Sequence, residues 1–125
     1  MKLTHVESRV VALPLDEPLA NGPTPKDAKQ MFVTLRLGTD EGVDGIGLSF
    51  FGGSAMSGAL KAAIDSLGAL ATGEDPMQIE KIVAKLRAAG SHSGPGGIFT
   101  LALSAIDIAL WDIRGKVLKQ PVARL

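Results

Sequence analysis

The fold of this chain is decided by one stretch, Ile98-Phe-Thr-Leu-Ala-Leu-Ser-Ala-Ile-Asp-Ile-Ala-Leu-Trp-Asp-Ile-Arg-Gly-Lys-Val-Leu-Lys119. Its apolar residues recur every three or four positions, which is the spacing of the buried face of an α-helix. Three of them, Ala102, Ala105 and Ala109, are small, so neighbouring elements can approach closely. The stretch therefore predicts one long, mostly buried helix against which the other elements pack.

Two acidic residues, Asp107 and Asp112, interrupt the apolar pattern of this helix. Asp112 precedes Lys116 by four residues, which is the favourable order for an ion pair on a helix surface. We interpret Asp112 and Lys116 as a structural pair rather than as catalytic groups.

Outward from the helix, the first half of the chain predicts three strands. Residues 2–13 are rich in β-forming side chains, with Leu3 expected on the face opposite Val6. Residues 31–37 alternate strictly, and a hairpin turn at residues 39–42 leads to a third strand near residues 43–48. The third strand contains Gly45 and Gly47, which indicate a bulge or the close approach of another group.

Two shorter helices are predicted between the strands and the long helix. Apolar residues from Leu60 to Ala71 recur at helical spacing, and Gly73 can end that helix. The second helix is expected to begin at Pro76, with Asp75 as its N-cap. The fold class is therefore α+β: a three-stranded antiparallel β-meander in about residues 2–48, followed by a helical bundle in about residues 54–119.

Composition restricts the class of protein. The 125 residues contain 13 basic and 13 acidic side chains and no cysteine. No basic block is available to attract nucleic acid or an anionic membrane, and disulfide or thiolate chemistry is excluded. The first seven residues are too polar for a signal peptide, so we expect a cytoplasmic protein.

The chain shows no motif for catalysis or for metal binding. His5 and His92 have no obvious nucleophile beside them, and the acidic residues are scattered rather than clustered. The segment Gly94-Pro-Gly-Gly97 lacks the spacing of a nucleotide-binding loop. We therefore predict no catalytic residue and no metal ligand in this chain.

A longer motif resembles a known family. The run Ala102-Leu-Ser-Ala-Ile-Asp-Ile-Ala-Leu-Trp-Asp-Ile-Arg-Gly-Lys116, followed by Pro121-Val-Ala-Arg-Leu125, is similar to the first signature of the mandelate racemase and muconate lactonizing enzyme family. This family is a branch of the enolase superfamily. The resemblance implies that residues 1–125 are the N-terminal capping domain and that a catalytic (β/α) barrel domain follows Leu125.

The resemblance also implies an activity. Enzymes of this family abstract the proton α to a carboxylate, and a magnesium ion held by the barrel domain stabilises the enediolate. Many members have a glutamate where this chain has Leu48, and this departure weakens the cycloisomerase and dipeptide-epimerase alternatives. Residues 45–50, 73–76 and 106–112 look nearest to mandelate racemase-like members and acid-sugar dehydratases, such as galactarate or talarate dehydratase. We expect a racemase (isomerase) or dehydratase (lyase) with a hydroxy-acid or sugar-acid substrate, in a homo-oligomer.

The same resemblance indicates where substrate is contacted. In the family, the loop between the first two strands and the loop after the third strand cover the mouth of the barrel. Here these loops are about Pro14 to Ala28 and Ser49 to Met56. Their polar donors and aromatic rings are the predicted substrate-binding residues, namely Asn21, Thr24, Lys26, Ser49, Phe50 and Phe51.

One alternative from a different class stays open. The chain can instead be an autonomous binding or assembly module that shares the capping fold without taking part in catalysis. The coding sequence after Leu125 discriminates the two hypotheses, because the enzyme requires barrel strands that end in acidic metal ligands.

Overall fold

The computed structural model describes residues 1–15, 28–51 and 54–125. The predicted fold class is confirmed, since three antiparallel strands precede the helices. Among the described residues, no helix combines the length and the apolar character needed to cross a membrane. The main elements are β1 (Leu3–Pro14), β2 (Lys29–Thr39), β3 (Asp44–Ser49), α1 (Ser57–Ala71), α2 (Ile79–Ala89) and α3 (Gly97–Leu118).

The sheet has the order β1-β2-β3, with every neighbouring pair antiparallel. At its centre, Leu35 of β2 lies opposite Ser8 of β1 and Gly47 of β3. The alternation predicted for β2 is confirmed, because Val33, Leu35 and Leu37 are all buried. These three side chains form the floor of the core, and α1 and α3 cover it.

The first strand differs from its prediction at Leu3. A β-bulge between Leu3 and His5 inserts an extra residue into β1, and Leu3 is only 1% exposed in the core. Because successive side chains in a strand point to opposite faces, one extra residue moves Leu3 to the buried side. The expectation that Leu3 faces away from the side of Val6 is therefore wrong.

Helix α3 lies directly on β3 because two glycines leave room for it. A Cβ atom placed on Gly45 would lie 2.0 Å from the carbonyl oxygen of Ala109, and one on Gly47 would lie 1.9 Å from that of Ala105. Both distances are far inside van der Waals contact. The predicted close approach at these glycines is confirmed, and the approaching group is the backbone of α3.

Helix α2 begins three residues later than predicted. The carboxylate Oδ1 of Asp75 accepts a hydrogen bond from the Met77 N–H at 3.0 Å, and the Asp75 carbonyl accepts one from the Gln78 N–H at 2.9 Å. These bonds close a turn, and Gln78 leaves it with a ψ of 57°, outside the helical region. The helix therefore starts at Ile79 rather than at Pro76.

Candidate functional site

A cavity of about 730 Å³ opens where β3 ends. One wall consists of Leu48, Ser49, Phe50 and Phe51. Helix α3 contributes two half-buried residues to the lining. The lining is mostly apolar, with Leu101 and Ser104 contributed by α3.

The pleat of β3 determines how these side chains are divided. Gly45, Gly47 and Ser49 face α3, whereas Ile46 and Leu48 face the other way and are exposed. The ring of Phe50 then packs edge-on against Phe32 of β2, with 5.7 Å between the ring centroids. Phe50 and Phe51 remain 51% and 37% exposed, an unusual amount of aromatic surface for a chain with only five aromatic residues.

The structure brings together three of the predicted substrate-binding residues. Phe50 and Phe51 line the cavity, and Ser49 also lines it although its side chain is only 6% exposed. The other three predicted residues, Asn21, Thr24 and Lys26, lie outside the described residues. Contact of any of the six with a substrate stays a prediction.

The ends of the loop between β1 and β2 lie at the same end of the sheet as the cavity. Pro14 pairs with Lys29, and the Leu15 N–H donates to the Ala28 carbonyl at 3.1 Å. In the same direction along β2, Val33 pairs with Ser49. Both loops that the family resemblance singles out therefore leave the sheet at one end.

Three cavity residues were not among the predicted site residues, namely Leu48, Leu101 and Ser104. The three-residue spacing of Leu101 and Ser104 places them on one side of the helix. Sequence periodicity shows that they share a side, but it does not show that this side meets the end of β3.

A second cavity of about 580 Å³ lies further along the contact between α3 and β3. Its walls include Ile46, Ile108, Trp111 and the acids Asp107 and Asp112. Trp111 also carries the guanidinium of Arg114 at 5.1 Å from its ring centroid, a cation–π contact. The Asp-x-x-x-Trp-Asp part of the signature therefore lies on the surface of the domain.

Burial raises the pKa of the Asp107 carboxyl above its ordinary value of 3.8. The charge of Arg87 and a hydrogen bond from Trp111 act in the opposite direction without cancelling the effect of burial. Because the folded pKa is raised, the native state binds this proton more tightly than the unfolded chain does. The ionised Asp107 therefore destabilises the native state, and this cost appears as pH rises through the folded pKa.

We expect Asp107→Asn to gain stability relative to the wild type as pH rises from about 3 to about 7. Asparagine is neutral throughout this range, so only the wild type acquires a charge at this half-buried position. The measurement is urea unfolding of both proteins at the two pH values. If the difference in unfolding free energy between Asp107→Asn and the wild type stays constant, or shrinks at neutral pH, the pKa of Asp107 is not raised in the native state.

The described residues do not fit a magnesium site. They contain no group of three or more His, Cys, Asp or Glu side chains placed to hold a metal ion. Magnesium requires several oxygen ligands in octahedral geometry.

We accordingly expect the 125-residue chain to bind magnesium no better than an ordinary acidic surface does. Titration calorimetry with magnesium chloride should give no saturable binding below about 1 mM. A stoichiometric site of micromolar affinity would contradict this prediction.

Comparison with known proteins agrees with the observed fold. Residues 5–125 match the model of a family described as "Mandelate racemase / muconate lactonizing enzyme, N-terminal domain". D-galactonate dehydratase of Xanthomonas euvesicatoria pv. vesicatoria is 39% identical over 98 residues, which are 78% of this chain and 25% of that protein.

Solved structures share the fold. A mandelate racemase/muconate lactonizing enzyme from Polaromonas sp. JS666 aligns with a TM-score of 0.84 and 28% identity. L-talarate/galactarate dehydratase from Salmonella typhimurium LT2, liganded with Mg and L-lyxarohydroxamate, aligns with a TM-score of 0.82 and 29% identity. Each alignment covers 98% of this chain and 32% of the solved chain. The chain thus spans about a quarter to a third of the length of these proteins.

Proposed function

This chain belongs to the mandelate racemase / muconate lactonizing enzyme family, whose N-terminal domain it forms, and from this premise we propose that it caps the active site of a sugar-acid enzyme. The proposed enzyme is a dehydratase or racemase of a hydroxy-acid or sugar acid, working by abstraction of the proton α to the carboxylate. The catalytic groups belong to a C-terminal barrel domain. The names of the relatives, D-galactonate dehydratase and L-talarate/galactarate dehydratase, support this substrate class.

One observation carries the proposal. The cavity lined by Phe50 and Phe51 lies at the end of the sheet from which the loop between Pro14 and Lys29 also leaves. A domain that places exposed aromatic side chains at one end of its sheet has part of a lid there. Such a lid excludes water from a charged intermediate and selects substrates by shape.

The proposal divides the chemistry between two domains. Magnesium, bound by the barrel domain, would stabilise negative charge on the substrate carboxylate. The side chains of this domain would bind and orient the remainder of the substrate, since a sugar acid presents both hydroxyl groups and a carbon skeleton. Substrate specificity would then depend on this domain, whereas metal affinity would not.

The test is a domain exchange. Residues 1–125 replace the N-terminal domain of the Xanthomonas D-galactonate dehydratase, and magnesium affinity and kcat/KM for several sugar acids are compared with those of the parent. We expect unchanged magnesium affinity and a changed order of preference among the substrates. A folded, active exchange variant with the substrate order of the parent would contradict a specificity role.

Two further properties stay predictions of the sequence. They are the cytoplasmic location and the assembly into a homo-oligomer. Fractionation of the source cells tests the first, and light scattering on the complete enzyme tests the second.

A further inference from the structure

Strand β3 lies at an edge of the described sheet, and two signature residues of α3 bind its outer side. The Ile46 N–H donates a hydrogen bond to Oδ2 of Asp112 at 2.9 Å. Lys116 Nζ donates to the Asp44 carbonyl at 2.7 Å and to the same Asp112 oxygen at 2.6 Å. We call this pair of side chains the Asp112–Lys116 clamp.

We propose that the Asp112–Lys116 clamp positions β3 along α3 and thereby sets the place of Phe50 and Phe51 in the cavity. The inference rests on the proposed function, because it assumes that this cavity faces the substrate. It assigns Asp112 and Lys116 as positioning residues, although the sequence predicted only a structural ion pair.

The spacing of the two elements supports this role. Asp112 and Lys116 are one helical turn apart, about 6 Å along the axis. The groups that they bind, the Asp44 carbonyl and the Ile46 N–H, belong to residues two apart on β3, and the Ile46 N–H and Lys116 Nζ both donate to Asp112 Oδ2. Because the backbone groups on one edge of a strand recur every two residues, the clamp can engage both groups only at positions of β3 along α3 that differ by two residues.

Gly45 and Gly47, on the side of β3 that faces α3, restrict β3 to the same position along the helix. Moving β3 by two residues preserves its pleat, but it would bring Val43 or Ser49 to a place where only glycine fits under the carbonyl of Ala109 or Ala105. Steric exclusion by these carbonyls and the hydrogen bonds of the clamp thus select one alignment. A surface ion pair alone adds little stability, so the contacts to the β3 backbone are the important part of the clamp.

This alignment determines the shape of the cavity. Helix α3 supplies the clamp and also Leu101 and Ser104, whereas β3 receives the clamp and continues into Phe50 and Phe51. Ile46 is four residues from Phe50, about 13 Å along a strand. The clamp therefore acts on the cavity through β3 rather than by touching its contents.

The experiment uses NMR on the 125-residue chain with Asp112→Ala, Asp112→Asn and Lys116→Met. The control is Lys81→Met, which removes another exposed lysine, on α2, whose partner, Glu74, lies 3.3 Å away. Two quantities are measured for each variant: the exchange rate of the Ile46 amide and the strength of the NOEs between the rings of Phe50 and Phe32.

In Asp112→Ala we expect the Ile46 amide to exchange at least about tenfold faster, with weaker Phe50–Phe32 NOEs and shifted Phe51 ring signals. Asp112→Asn retains an oxygen acceptor and should restore both quantities toward the wild type. Lys116→Met should shift the ring signals, and Lys81→Met should leave them unchanged.

The proposal is overturned if Ile46 exchange in Asp112→Ala equals that of the wild type, or if exchange rises while the Phe50 and Phe51 signals stay in place. If Asp112→Ala does not fold, Asp112→Asn and Lys116→Met replace it in the test. Phenylalanine ring signals of Lys116→Met identical to those of the wild type would also overturn the proposal. These NMR measurements need no substrate, so they test the positioning role alone. A failure of the proposed capping function would appear only in the domain exchange.

Discussion

Replacing Gly47 with alanine is expected to lower the free energy of unfolding by about 3 kcal/mol. The new Cβ would lie 1.9 Å from the carbonyl oxygen of Ala105, and this oxygen belongs to the backbone of a 22-residue helix. A flexible side chain could move aside, but α3 can move only by separating from β3. Burial of apolar surface between the two elements would be lost with that movement.

Gly58→Ala is the matched control for this prediction. Gly58 lies in the first turn of α1, and a Cβ atom placed there meets no atom within 4 Å. Alanine is also the better helix former, so stability should be unchanged or slightly raised. Urea unfolding of both variants is the measurement. A loss below about 0.5 kcal/mol for Gly47→Ala, the range of surface substitutions, would mean that α3 does not lie directly on β3.

In an enzyme that contains this domain, we expect Phe50→Ala or Phe51→Ala to lower kcat/KM by about tenfold or more. This factor corresponds to ~1.4 kcal/mol of lost transition-state stabilisation. The physical reason is loss of the aromatic wall of the cavity, which admits water and removes contacts that orient the substrate. Phe50 is held against the ring of Phe32, and both Phe50 and Phe51 keep exposed ring surface that a substrate can contact.

Steady-state kinetics on a sugar-acid substrate measure this effect, with magnesium affinity as an internal control. Leu70→Ala is the matched variant, because Leu70 is an exposed apolar residue on α1, the helix that packs mainly on β1 and α3. It should leave kcat/KM unchanged. If both phenylalanine variants keep wild-type kinetics and substrate range, the loop after β3 is only a connector.

Much of the fold could be predicted because its signals are local. The alternation in β2 and the helical spacing of α3 each repeat over many consecutive residues, and the structure confirms both. The glycines of β3 also indicated a close approach. The family signature in α3 is equally a property of consecutive residues, and the match over residues 5–125 confirms the family.

The sequence by itself therefore determined the order and type of the elements, the family and the two aromatic residues of the candidate site. The tertiary structure alone decided that Leu3 enters the core, that Asp112 binds Ile46 across 66 residues of sequence, and that Leu101 and Ser104 complete the cavity. The physical reason is the range of the interactions. Periodicity records which side chains share a face, whereas a bulge or a contact between distant elements depends on where that face is finally packed.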